Sequence, residues 1–169
     1  THLLPVGIFR PGVMNLIGNG VVLDPAALFR EIDEFTGRGI LISRENLRIS
    51  YKTHLVMPYH VLLDRLEERE RGAGKLGTTS RGIGPAYVDK VARRGIRIVD
   101  LMEPAQFRER VAAALPRINR IVAGDIAQHA RLPLLPAVDL AVAVRVERHG
   151  AQSLRVPALV ALEAPVAVV

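Results

Sequence analysis

Short apolar runs broken by Pro and Gly open the chain: LLPVGIF and VMNLIGNGVVL, within residues 1–23, predict strands and turns. At Asp24-Pro25 the pattern takes a helical period. Leu28, Ile32 and Phe35 recur on one side, Asp24 suits the N-cap, Pro25 suits the first helical position and Gly37 reads as the stop. GILIS and NLRIS then predict two short strands. A second helix is expected from about Pro58 to Arg71, with Val61, Leu62 and Leu66 as its apolar side. The dense run from Arg65 to Arg71, with Glu67 and Arg71 an opposite-charge i,i+4 pair, predicts a solvated face. A third helix is predicted over Pro85–Arg94 with Gly95 as its end signal. IRIVDL reads as a short strand or extended link, and EPAQFRERVAAALPRIN starts another helix. Beyond Asn119 Pro repeatedly interrupts β-prone Ala/Val/Leu/Arg runs, with no aromatic after Phe107 and no lysine after Lys90.

A hydrophobic share of 49% is enough for a sizeable core, and the absence of cysteine removes disulfides and Cys-based metal sites. The longest apolar runs are too short to span a bilayer. THLLPVGIF lacks the basic start and long apolar core of a signal peptide and has no initiator Met, so it reads as a start within a longer sequence. His2, His54, His60, His129 and His149 show no ligand spacing, which speaks against zinc. For His60 a packing or capping role is expected, for Asn19 a turn, for Asp24 a cap. A net charge of +6, nearly all arginine, suits nucleic acid, membrane or small anions equally; GC-rich coding produces the same bias. Aromatics at 4% supply few stacking platforms for single strands.

The chemistry concentrates in RGAGKLGTTSRGIGPAY, residues 71–87. Its Gly72-x-Gly74-x-x-Gly77 spells a dinucleotide fingerprint, but a charged helix precedes it where a strand belongs and TTSRG follows it where a helix belongs. A Walker A loop fails as well: Leu76 follows Gly74-Lys75, and Arg69 stands at the first glycine's place. A third arrangement fits an anion. Thr78, Thr79 and Ser80 offer hydroxyls, Gly82 and Gly84 allow close backbone approach, and the helix beginning near Pro85 offers exposed N–H groups. Arg81, Lys90, Arg93, Arg94 and Arg97 face one acid, Asp89, and Lys90 and Arg93 lie one turn apart. On the residues alone a second reading stands beside it: a mobile loop and a basic solvent-facing helix, with Asp89–Arg93 an i,i+4 pair of ~0.3–0.5 kcal/mol.

Gly82-Ile83-Gly84-Pro85-x-Tyr87-x-x-Lys90-x-x-Arg93 resembles a signature of adenylosuccinate synthetases. GTTSRGIGPAYVDKVARRGIRIVDL, HLLPVGIFRPGVMNLIGNGVVLDPAALFREID and PYHVLLDRLEERERG are similar to that family in the same order, over about residues 2–119. The resemblance implies an α/β fold, part of a P-loop-NTPase-like mixed sheet with a helical subdomain. It implies a cytoplasmic, homodimeric ligase of purine (AMP) biosynthesis that joins L-aspartate to IMP with GTP and Mg2+, through a 6-phosphoryl-IMP intermediate, with no membrane partner and no nucleic acid. On it, Thr79 holds the IMP phosphate, Arg93 reaches the IMP phosphate of the neighbouring subunit and Lys90 supports the same pocket. Ser80 and Val88 depart mildly from the pattern, Ser80 standing where Gly or Lys is common and Val88 where an acid is usual.

The family's WGDEGKGK-type loop, its GGHNAGHT-like segment, its aspartate-binding loop and its NKxD-type segment do not occur in these residues. With them go the catalytic and metal-binding groups, so an internal fragment without ligase activity of its own is expected. Residues 1–119 form the family-like part and 120–169 a divergent tail, of the composition a frame change in a GC-rich gene would produce. The competing class is a basic phosphate- or nucleic-acid-binding fragment without catalysis, which predicts steep salt dependence and little preference for IMP.

Overall fold

The computed structural model describes residues 2–71, 77–129 and the strand pieces 146–147, 153–154 and 167–168, with side chains described to residue 124. A 3-10 turn, Val6–Phe9, leads into β1 (Asn15–Ile17) and β2 (Val22–Leu23). Helix α1 (Pro25–Gly37) begins where the sequence places it: the Ala27 N–H donates to the Asp24 carboxylate at 3.1 Å. Gly37 closes the helix, but the left-handed residue of its end is Gly39 (φ +85°), whose N–H donates to the Thr36 carbonyl. β3 (Leu47–Ile49) and β4 (His54–Leu55) follow. NLRIS therefore supplies a strand and GILIS does not. Around GILIS the Asn46 side chain accepts from the Ser43 N–H and donates to the Leu41 carbonyl, which holds a turn instead.

β1 and β3 pair in parallel, Asn15 opposite Leu47, and β2 and β4 pair in parallel, Val22 opposite His54. Both pairs are closed by the crossover through α1. β7 (Ala167–Val168) lies beside β3, with β5 (Val146–Glu147) and β6 (Ser153–Leu154) beyond it, in the order β1-β3-β7-β5-β6.

Helix α2 (Pro58–Glu70) buries Tyr59, His60, Leu63, Asp64, Leu66 and Glu68. The apolar side expected at Val61, Leu62 and Leu66 is thus rotated, with Val61 and Leu62 only half-buried. The charge run is not wholly solvated either, since Glu68 is buried and Asp64, just before it, is too. Helix α3 spans Ile83–Val91, and IRIVDL folds as a single helical turn, α4 (Ile98–Leu101), rather than a strand. The Arg97 N–H donates to the Asp100 carboxylate at 2.7 Å and starts that turn. Helix α5 runs from Pro104 to His129. Its buried Val111 and Ile118, with half-buried Phe107, Ala114, Leu115 and Val122, form one stripe at helical spacing. Pro116 sits within it and removes one backbone bond.

The core joins Leu28, Phe29 and Ile32 of α1 to Leu47, Ile49 and Leu55 of the strands, Tyr59 and Leu63 of α2, and Ile98 and Leu101 of α4. A smaller cluster, Val22, Val56 and Ala86 with Val61, seats α3 against β2 and α2. No helix among the described residues is long and apolar enough to cross a membrane.

Candidate functional site

The segment from Gly77 to Gly82 is strung between two carboxylates of α2. Gly77 N–H donates to Glu68 Oε2 at 3.2 Å, and Gly82 N–H to Asp64 Oδ2 at 2.8 Å. Asp64 and Glu68 are one turn apart, so they lie one above the other on the helix face turned toward the segment. Between these anchors Thr78 and Thr79 are exposed and Ser80 half-buried. Ser80 adopts φ +51°, a left-handed conformation rare outside glycine.

Gly82 is required twice over. Its φ is +77°, and a Cβ there would come within 2.6 Å of the Val61 backbone nitrogen and 2.7 Å of the His60 carbonyl carbon. The close approach expected of Gly82 is therefore to α2, not to a ligand. Gly84 has open space around it and keeps the exposed role. The N–H groups of Ile83 and Gly84 find no acceptor inside α3, and Pro85 carries none.

Thr79, Ser80, Arg81 and Ile83 form one wall of an open cleft of about 690 Å³, and Ala27, Arg30, Glu31 and Glu34 of α1 the other. Acids on that wall would oppose an anion, but they are engaged. Glu31 accepts from the N–H groups of His2, Leu3 and Leu4, Asp24 caps α1, and Glu34 pairs with Arg38 at 2.7 Å. Arg30 and Arg81 are both exposed on it.

Lys90 and Arg93 do not converge. The one-turn spacing presumed a helix through Arg94, but α3 ends at Val91 and Arg93 follows it at φ +59°. Lys90 Nζ donates to the carbonyls of Asn19 and Gly20 at 2.6 and 2.8 Å, and the Tyr87 hydroxyl donates to the Gly20 carbonyl at 3.1 Å. Lys90 thus fastens the Gly18–Gly20 turn rather than lining the Thr79 cleft. Arg93 is exposed and lines a separate cavity between α3 and α5. Within one chain the structure brings Thr79, Ser80 and Arg81 together and leaves Arg93 apart.

The ion pair of Asp89 with Arg93 is absent. Asp89 is buried and accepts from His60 Nε2 at 3.1 Å, Arg94 Nε at 2.7 Å and Arg117 Nη2 at 2.9 Å to each oxygen. Burial alone would raise its pKa, but the hydrogen bonds from His60 and Arg94 and the Arg117 charge outweigh that and hold the carboxyl below its usual range. His60 Nδ1 accepts from the Met57 N–H at 2.9 Å, so Nε2 carries the proton given to Asp89. That is the capping role expected of it, with a second function added. Burial, then the Asp89 charge, pushes the neighbouring Tyr59 hydroxyl up to about 12. Burial, followed by the charges of Arg97 and Lys90, lowers the pKa of His54.

Asp64, Glu68 and this Asp89 node are what sequence reasoning missed. One signal was available: counted from Tyr59 instead of Val61, the α2 stripe 59-60-63-64 carries Asp64 inward. Among the described residues no group of three His, Asp or Glu could hold a metal ion, and the buried acids near the site are already occupied. These residues do not fit Mg2+.

The fold and the site define an α/β fragment with an open cleft lined on one side by the Thr79 and Ser80 hydroxyls and Arg81. The family model described as adenylosuccinate synthetase matches residues 1–135, so the chain belongs to that family. The adenylosuccinate synthetase of Ralstonia pickettii is 59% identical over 121 residues, which cover 72% of this chain and 27% of that protein. The Thermobifida fusca protein of the same name is 52% identical over 72% of this chain and 28% of its own length. A solved structure of fully ligated adenylosuccinate synthetase from Plasmodium falciparum superposes with a TM-score of 0.63 and 29% identity, over 72% of this chain and 28% of that one. The mixed α/β architecture is a fragment of that fold, and the chain spans just over a quarter of the length of these relatives.

Proposed function

We propose that this chain supplies the IMP-phosphate end of an adenylosuccinate synthetase active site, in an enzyme that ligates IMP and L-aspartate at the expense of GTP in cytoplasmic AMP synthesis. Thr79 holds the phosphate, with the Ser80 hydroxyl and the first N–H groups of α3 beside it. Lys90 acts one step removed, by holding the Gly18–Gly20 turn against α3. Arg93 serves the phosphate bound by the other subunit of a homodimer. The observation that carries the reading is the cleft: Thr79, Ser80 and Arg81 line about 690 Å³ at the start of α3, a volume in the range of nucleotide-sized pockets. The exposure of Arg93 outside that cleft supports its action in trans. GTP and Mg2+ belong to the complete enzyme.

IMP titrated calorimetrically into the purified chain should bind, and Thr79→Ala and Arg93→Ala should each abolish binding. Mixing the two variants should restore part of it, because a mixed dimer contains one intact site. No rescue on mixing would refute the action of Arg93 across subunits, and binding untouched by Thr79→Ala would refute the site. Formation of adenylosuccinate from IMP, aspartate and GTP by these 169 residues alone would overturn the assignment of the transfer groups to other parts of the enzyme.

A further inference from the structure

The cavity between α3 and α5 is a second basic site, remote from the Thr79 cleft. It measures about 260 Å³ and is lined by Asp89, Arg93, Arg94, Arg110, Ala113, Ala114 and Arg117. Positions 110, 113, 114 and 117 follow the helical period, so α5 sets two arginines two turns apart with only alanines between them. The gap left by those small side chains is the cavity, and α3 closes it with Arg94 and the left-handed Arg93.

Two of the four guanidiniums are held in place. Asp89 accepts Nε of Arg94 and Nη2 of Arg117, and the remaining donors of both have no hydrogen-bond acceptor among the described residues. Asp89 is itself pinned by His60, so its side chain cannot swing away. Arg110 is half-exposed and only loosely associated with Asp100, its Nε 3.8 Å from the carboxylate. Four positive charges against the carboxylates of Asp89 and Asp100 leave a surplus of two. Clustered guanidiniums repel, and fixed forks cost little further ordering when an anion enters.

We propose that this cavity is a binding site for a small dianionic phosphate, either inorganic phosphate or the terminal group of a phosphomonoester. Its volume lies below the ~300–1,000 Å³ typical of sites for larger ligands, which selects the phosphoryl group over a whole nucleotide. The planar forks of Arg94 and Arg117 match phosphate geometry, and Arg110 closes from the solvent side. The inference stands on Arg94, Arg110 and Arg117 and does not need the role proposed for Arg93.

The test is a titration of the full 169-residue chain with inorganic phosphate, and separately with glycerol 3-phosphate, at ionic strength held constant with chloride. Saturable binding is expected, with Arg110→Ala weakening it about tenfold, the equivalent of one charge-assisted hydrogen-bonded pair. Arg110→Lys should recover part of the loss, and the binding that Arg110→Ala weakens should persist in Thr79→Ala, which removes only phosphate held in the other cleft. Response to one probe or to both identifies the source of the phosphoryl group. A response that merely tracks ionic strength, or one lost in Thr79→Ala and kept in Arg110→Ala, would overturn the proposal. Arg110 makes no close contact with the core, so a folding failure is not expected; the far-ultraviolet circular dichroism of each variant checks this.

Discussion

Replacing Gly82 by alanine separates two costs that usually arrive together. At φ +77° any L side chain pays a left-handed penalty of ~1–2 kcal/mol. The new methyl would also lie 2.6–2.9 Å from Val61 N and from the carbonyl carbon and Cβ of His60, atoms of a packed helix that cannot yield as a flexible side-chain tip would. Such overpacking costs ~1–3 kcal/mol. Loss of glycine freedom in the unfolded chain returns ~0.4–1 kcal/mol. The net is a destabilisation of about 2–4 kcal/mol. Gly39→Ala is the control: its φ is +85° but nothing lies within 4 Å, so only the backbone penalty applies, about 1 kcal/mol net. Urea unfolding followed by circular dichroism measures both. At ~2–4 °C per kcal/mol, Gly82→Ala should also melt roughly 5–15 °C lower than the parent chain. Equal losses in the two variants would refute the claim that close packing of α3 on α2 fixes the position of the loop.

Tyr59→Phe should stabilise the chain by ~1 kcal/mol at neutral pH, since the buried hydroxyl has no partner among the described residues. Because Tyr59 titrates higher in the folded state, its contribution is complete below pH 10 and is lost as the pH rises toward about 12, so denaturation curves between those values should flatten in Tyr59→Phe. Asp89 titrates lower when folded, so its stabilisation is present above the ordinary carboxylate range and lost in acid. Asp89→Asn should cost ~2–4 kcal/mol at pH 7 and reduce the acid sensitivity of unfolding; an unchanged acid limb would count against the node. Arg93→Gly should raise stability by ~1 kcal/mol by relieving the left-handed strain while abolishing IMP binding, and a loss of stability would show that the Arg93 side chain contributes contacts of its own.

Features written by neighbours in sequence were legible in it. Asp24-Pro25 opens α1, Pro58 opens α2, and a helix follows Gly82, though it ends at Val91, short of the expected Arg94. What could not be read depends on partners far along the chain. Asp64 looks solvated until Gly82 is placed against it, and Asp89 looks like half of a surface ion pair until α5 delivers Arg117. Periodicity registers an apolar side chain wherever it stands, but it cannot tell a carboxylate in water from one matched to an N–H. The same blindness affects Arg93: its direction comes from the end of α3, where the N–H groups of Arg94 and Gly95 both donate to the Asp89 carbonyl. Residues 72–76, which carry Gly72 and Gly74 of the dinucleotide-like motif and Lys75, lie outside the described residues, as does most of the divergent tail.

Asn15 faces Leu47 and Val22 faces His54, so the two parallel pairs share one sequence offset. Parallel pairing is slow because a long loop must close before any strand contact forms. Here, once β1 has found β3, only a few residues on each side separate β2 from β4, and the second ladder follows at almost no further closure entropy. The chain therefore makes one conformational search for two parallel ladders. Residues of β1 and β2 should gain their native contacts in the same kinetic step, and lengthening the α1 connection should slow both pairings together.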